Sequence, residues 1–145
     1  MNYFLQANSL IFVHFGFGSF NPADATNYFI GEPIINAPTT TAVRRIMQLN
    51  QNLILVGSYI SFVQNVGTAE TSSIFLRVNN TTYILLNNNI QNNASNTFYT
   101  NNQTLNSSIL STDTFELKWL TPTWVGGGAN PTAVTAGGWL IFKRP

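Results

Sequence analysis

Cysteine is absent, and charge is nearly so. Without a thiol the chain has no disulfide, thiolate nucleophile or zinc–cysteine site, which excludes a disulfide-stapled secreted domain. Six Lys and Arg stand against five Asp and Glu, a formal net charge of +1, and charged residues make up only 8% of the 145. Nucleic-acid binders draw affinity from Lys and Arg that neutralise phosphates, and here the basic residues are scattered. Only Arg44-Arg45 and Lys143-Arg144 are adjacent, and on a strand the members of each pair would point to opposite faces. Long apolar runs are missing too: none approaches the roughly 20 residues of a membrane-spanning helix. The N-terminus has neither the basic region nor the small-residue cleavage site of a secretory signal, and the apolar run Leu10–Phe17 is interrupted by His14 and Gly16. The chain reads as soluble and made in the cytoplasm, with neither nucleic acid nor membrane as a partner.

Asn, Thr, Ser and Gln fill over a third of the chain, beside 44% hydrophobic and 13% aromatic residues. Helix formers are scarce, while β-branched and aromatic residues, which suit a pleated, half-buried surface, are abundant. Apolar alternation and turn chemistry predict short strands at Leu10–Phe17, Asn27–Ile30, Arg44–Leu49, Leu53–Gln64, Ser73–Asn79, Thr82–Asn87, Thr97–Asn101, Thr114–Leu120 and Trp139–Lys143. Long turn segments at Asn21–Asp24, Glu32–Ala42 and Pro122–Gly138 separate some of them. Asn80-Thr81 reads as a tight hairpin, since Asn tolerates positive φ. Such a series without helical crossovers points to one all-β domain, a β-sandwich or jelly roll over residues 11–145, with residues 1–10 as an N-terminal arm or first strand.

Two strands have one apolar face. In Thr114–Leu120, Phe115, Leu117 and Trp119 alternate with Glu116 and Lys118; in Ser73–Asn79, Ile74, Leu76 and Val78 lie opposite Arg77. Each predicts one buried and one solvated side. Two others are apolar on both faces. Trp139 and Ile141 alternate with Leu140 and Phe142, and Leu55, Tyr59 and Val63 oppose Ile54, Val56, Ile60 and Phe62. Such strands are either central core strands or strands whose second face meets another layer or subunit.

The inventory for chemistry is thin. Asp113 and Glu116, three apart on a strand, project from opposite faces and do not form a glycosidase pair. A hydrolase or lyase would need Asp24, Glu32, Glu70, Asp113 and Glu116 to cluster in space. His14 has no ligand-spaced His, Cys or acid, so a buried or interfacial imidazole is favoured over a metal ligand or general base. No phosphate-cradling motif occurs. These readings predict no enzyme, catalytic residue, cofactor or metal. Five sites, at Asn79, Asn80, Asn93, Asn102 and Asn106, match the N-glycosylation pattern, as a chain so rich in Asn, Ser and Thr does by chance. Trp124, beside the loop from Gly126 to Pro131, is a candidate sugar-stacking ring or else a plug for a core end or subunit contact. Tyr99 and the Asn-rich stretch from Asn87 to Asn106 complete that candidate ligand surface.

The order of several segments resembles small jelly-roll proteins of phage and environmental viruses, of the tumour-necrosis-factor and complement-head kind. These segments are Asn21-Pro22-Ala23-Asp24-Ala25-Thr26-Asn27-Tyr28-Phe29-Ile30-Gly31, Arg44-Arg45, Gly67-Thr68-Ala69-Glu70-Thr71-Ser72, and Arg77-Val78-Asn79-Asn80-Thr81-Thr82. Asp113, Phe115-Glu116, Lys118, Pro122-Thr123-Trp124, Asn130-Pro131-Thr132 and Gly137-Gly138 follow. The resemblance implies a homotrimeric virion structural protein, decorating a capsid or heading a small spike or fibre at the virion surface. A short lead-in without a stalk suggests a stand-alone head. On that reading Leu55, Tyr59, Val63, Trp139, Leu140, Ile141 and Phe142 form the subunit interface. Met1, Asn2, Tyr3, Phe4 and Leu5 would dock onto other virion proteins. The alternative is a receptor- or glycan-binding module at a tail or spike tip, a host surface glycan being held by Trp124 and Tyr99.

Overall fold

A computed structural model describes residues 9–31, 37–41, 46–64, 70–91, 97–124 and 130–145, with only the backbone of 97–100. The described residues form strands and turns and no helix. The strands are β1 (Ile11–Phe20), β2 (Asn27–Ile30), β3 (Leu53–Val63), β4 (Thr71–Val78), β5 (Thr82–Gln91), β6 (Thr97–Asn102), β7 (Ser107–Ile109), β8 (Phe115–Leu120) and β9 (Val134–Lys143). One antiparallel sheet runs β1-β9-β3-β6, with β7 also pairing with β3; the other runs β2-β8-β4-β5. Since β6 pairs with Ser58–Val63 and β7 with Leu53–Leu55, the two share one broken strand position. Every other connection except the β4–β5 hairpin passes from one sheet to the other. This is a jelly-roll sandwich.

The two inner faces supply the core. Phe15 and Phe17 of β1, Leu53, Leu55, Ile60 and Phe62 of β3, and Leu140 and Phe142 of β9 meet Ile30, Ile74, Leu76, Leu117 and Trp119 of the other sheet. Burying each such side chain is worth about 1.5–3 kcal/mol. Trp119 is central: Phe17, Phe20, Tyr28 and Phe62 surround its ring at centroid distances of 5.2–6.0 Å. Its indole N–H donates to Ser72 Oγ at 2.9 Å, which satisfies the one polar group of an otherwise apolar ring.

Differences from the sequence reading have local causes. Of Arg44–Leu49, residues 44 and 45 lie outside the described residues. Met47 makes only an isolated bridge to Phe115 before the chain turns at Asn50, φ 54°. The hairpin loop is Asn79-Asn80-Thr81, one residue longer than expected, with φ of 48° and 62° at the two asparagines. β7 escaped prediction because Ile109 is its one apolar residue, directed into the core. β9 begins at Val134, five residues before the predicted Trp139, because Gly137 and Gly138 lie in the strand. A Cβ on Gly138 would stand 2.0 Å from the Tyr59 carbonyl oxygen, so the close approach of β3 and β9 requires glycine.

Candidate assembly surface

Strand alternation and one bulge decide which residues of the β1-β9-β3-β6 sheet face outward. In β1, Ile11, Val13, Phe15 and Phe17 point to the core and leave Phe12 and His14 outside. In β9, Leu140 and Phe142 are fully buried, while Trp139 and Ile141 face out. In β3 the register slips between Leu55 and Gly57, opposite Phe142 and Ile141. Val56 is therefore an extra residue, and the bulge reverses the alternation beyond it. Leu55 joins Ile60 and Phe62 in the core, whereas Tyr59 and Val63 fall outside with Ile54 and Val56.

The expected interface set accordingly divides. Leu55, Leu140 and Phe142 are core residues with no exposed surface, a correction to their placement at a subunit contact. Tyr59, Val63, Trp139 and Ile141 share the outer face. Phe12 and His14 belong with them; neither is in the expected interface set, although the sequence reads His14 as a buried or interfacial imidazole.

The outer residues form rows across the strands. His14 pairs with Trp139, Trp139 with Tyr59, and Tyr59 with Asn101. The rings of His14 and Trp139 stack at 5.2 Å and 18°, and Tyr59 tilts against Trp139 at 5.8 Å. The next row is Phe12, Ile141 and Gly57. Phe12 is 57% exposed, Leu10 49%, Val63 42% and Trp139 41%, so large apolar side chains meet solvent on one continuous face. Among the outward positions of β1, β9 and β3, Lys143 is the one permanently charged residue. A neutral aromatic and aliphatic face of this kind is a candidate contact surface.

On the opposite sheet's outer face Tyr83 and Leu85 are exposed, but Glu116 and Arg77 are not solvated as expected. Arg77 is 8% exposed and Glu116 1%. Arg77 Nε donates to Glu116 Oε1 at 2.7 Å, Nη2 donates to the same oxygen and to Asn80 Oδ1, and the guanidinium lies 4.6 Å from the Phe29 ring centre. Burial pushes the Glu116 carboxyl above its ordinary range, and Arg77 pulls it partly back. Beyond β2, Phe29 pairs with Thr39 in a further bridge. Lys118 remains partly exposed over the Tyr83 ring at 4.7 Å.

The other candidate residues are separately engaged. Asp24 accepts the Trp124 backbone N–H at 3.2 Å. Asp113 accepts from the Leu110 N–H and the Asn79 amide, and these bonds hold its carboxyl below the usual range. Among the described residues no group of three or more His, Cys, Asp or Glu could hold a metal ion, and no helix is long and apolar enough to cross a membrane. Trp124 is 7% exposed and offers no open stacking platform, which corrects its placement as a ligand contact. The Tyr99 side chain, Met1 to Leu5 and Glu32 lie outside the described residues.

The chain thus belongs structurally with jelly-roll-like sandwiches, and its likeness among solved structures is viral. It is similar to a chain in the structure of infectious bursal disease virus, Gx strain, with a TM-score of 0.54 and 13% identity, over 96% of this chain and 33% of that one. It spans about a third of that chain's length, and the likeness is one of fold. No family model matches the sequence, and no curated protein matches it significantly.

Proposed function

We propose that the chain is a non-enzymatic virion structural protein that assembles as a homotrimer and decorates the surface of a virus particle, a phage head on the family resemblance. The exposed aromatic row of His14, Trp139 and Tyr59, flanked by Phe12, Ile141 and Val63, carries this reading. A sandwich that has already filled its core has no internal use for a second apolar face on the same sheet. Three copies around a threefold axis, each contributing the face heterologously, would cover it. The viral fold likeness supports the setting, and the near absence of charge from the face supports its burial, because few ionic groups would be desolvated.

Decoration and a tip adhesin differ in copy number, which mass spectrometry of purified particles measures. Hundreds of copies per particle are expected; a handful would place the protein at a tail or spike tip. Met1 to Leu5 are the residues proposed to dock on the particle, and their deletion should lower occupancy.

A further inference from the structure

His14 is the one histidine of the chain, and strand pairing places it at the β1 end of the outward row that continues through Trp139 and Tyr59. It is exposed. One face of its ring lies against the Trp139 indole at 5.2 Å and 18°, and neither ring nitrogen has a hydrogen-bond partner among the described residues. In a single subunit the imidazole is therefore solvated by water, which burial of the face would remove. The surroundings offer a positive charge nothing in exchange. None of the five strands of this sheet contains an Asp or Glu. On β1 the neighbouring outward positions are Phe12 and Gly16; β9 presents Trp139 and Ile141, then Lys143, a like charge; β3 presents Tyr59 and Val63 with Ile54 and Val56. Asn101 of β6 ends the row. β2 meets β1 where the Gly16 N–H donates to the Gly31 carbonyl at 3.2 Å, and it carries no acid, Lys, Arg or His. Asp24, Asp113 and Glu116 are bonded to Trp124, to Leu110 and Asn79, and to Arg77, and Glu70 directly precedes β4 of the other sheet.

We infer that His14 is a pH switch on the contact between subunits: neutral, it lets the face bury, and protonated, it keeps the subunits apart. This rests on the assembly proposed above and adds its regulation. An imidazole gains its proton between about pH 8 and pH 5, an interval in which phenol and ammonium groups ordinarily keep one state. A cation buried without a counterion is strongly disfavoured, so the assembled protein binds fewer protons than its free subunits. Assembly is then full above the imidazole range and is lost as pH falls through it. Threefold symmetry multiplies the effect, because three rings must each give up a proton. Once the free ring is protonated, the association constant falls about a thousandfold per pH unit. The concentration for half-assembly, which varies as the inverse square root of that constant, rises about thirtyfold.

Sedimentation velocity over a concentration series, run from about pH 8 to about pH 5, tests this on the parent protein, His14→Phe and His14→Arg. His14 is exposed, so neither substitution disturbs the core. His14→Phe keeps an aromatic ring against Trp139 and removes the proton; His14→Arg makes the charge permanent. The parent should be trimeric at the upper pH and dissociate reversibly toward the lower, with circular dichroism unchanged. His14→Phe should stay trimeric throughout, and His14→Arg should be monomeric throughout. A parent that is equally trimeric at both ends, or a His14→Phe that dissociates alongside it, overturns the switch and leaves the trimer standing. Dissociation that coincides with loss of the β-sheet signal also overturns the switch, since acid unfolding then explains it. A parent that is monomeric at the upper pH overturns the assembly and the switch together.

Discussion

Arg77 and Glu116 show what burial does to a charge pair in this protein. They sit opposite each other on β4 and β8, and the attraction between them is set against the desolvation of both. Such a pair adds little net stability, yet losing one partner leaves the other buried and uncompensated. Arg77→Ala should therefore destabilise the fold by about 3–5 kcal/mol in urea titration, whereas Arg77→Met/Glu116→Leu should recover most of the loss. The sign of the pH dependence follows from the raised Glu116 carboxyl. A carboxyl whose folded-state pKa is raised favours folding below its ordinary range and loses that contribution as pH rises through the folded value. Without Arg77 the carboxyl rises further, so the deficit of Arg77→Ala should be smallest in acid and widen toward neutral pH.

At the scale of elements, β3 and β9 carry both the core and the exposed face, and their glycines determine how closely they approach. Gly138→Ala places a Cβ against the Tyr59 carbonyl and against the backbone of Ile60. The obstruction is main chain, which no rotamer change relieves, so a loss of about 3 kcal/mol or more is expected. Gly137→Ala meets only the Phe15 carbonyl oxygen at an ordinary 3.6 Å and should change stability by less than about 1 kcal/mol; paired thermal melts compare the two. These strands also show how far pattern reading reaches. The apolar alternation of Leu53–Gln64 and Trp139–Lys143 located both strands and showed that each has two apolar faces. The inversion at Val56 was hidden, because a bulge arises from pairing with β9 and leaves no mark in hydrophobic periodicity. Leu55 was therefore assigned outside and Val56 inside. Gly137-Gly138 read as loop for the same reason: the neighbouring backbone of Tyr59 and Ile60 creates the need for glycine at Gly138, which no local pattern records.

For the whole molecule, strand content and sandwich class were legible because β-branched and aromatic residues alternate between turns rich in Asn and Gly. The assembly face was legible only in part. Trp139, Ile141, Tyr59 and Val63 could be identified from two-sided apolar strands, whereas Phe12 and His14 became part of the face only when β1 paired with β9. Trp124 looked exposed among Pro122, Thr123 and the glycines, but Asp24 accepts its backbone N–H and the residue is buried. The low charge acquires a physical role in the proposed arrangement: a sheet face with one charged residue costs little to dehydrate, and closure around the proposed threefold axis would remove its apolar rows from water. Light scattering after size exclusion at about 10 μM tests this most directly, with Trp139→Asp as the comparison. Three times the 16.0 kDa chain mass for the parent protein, and one chain mass for a folded Trp139→Asp, is the expected result; one chain mass for the parent protein would contradict it.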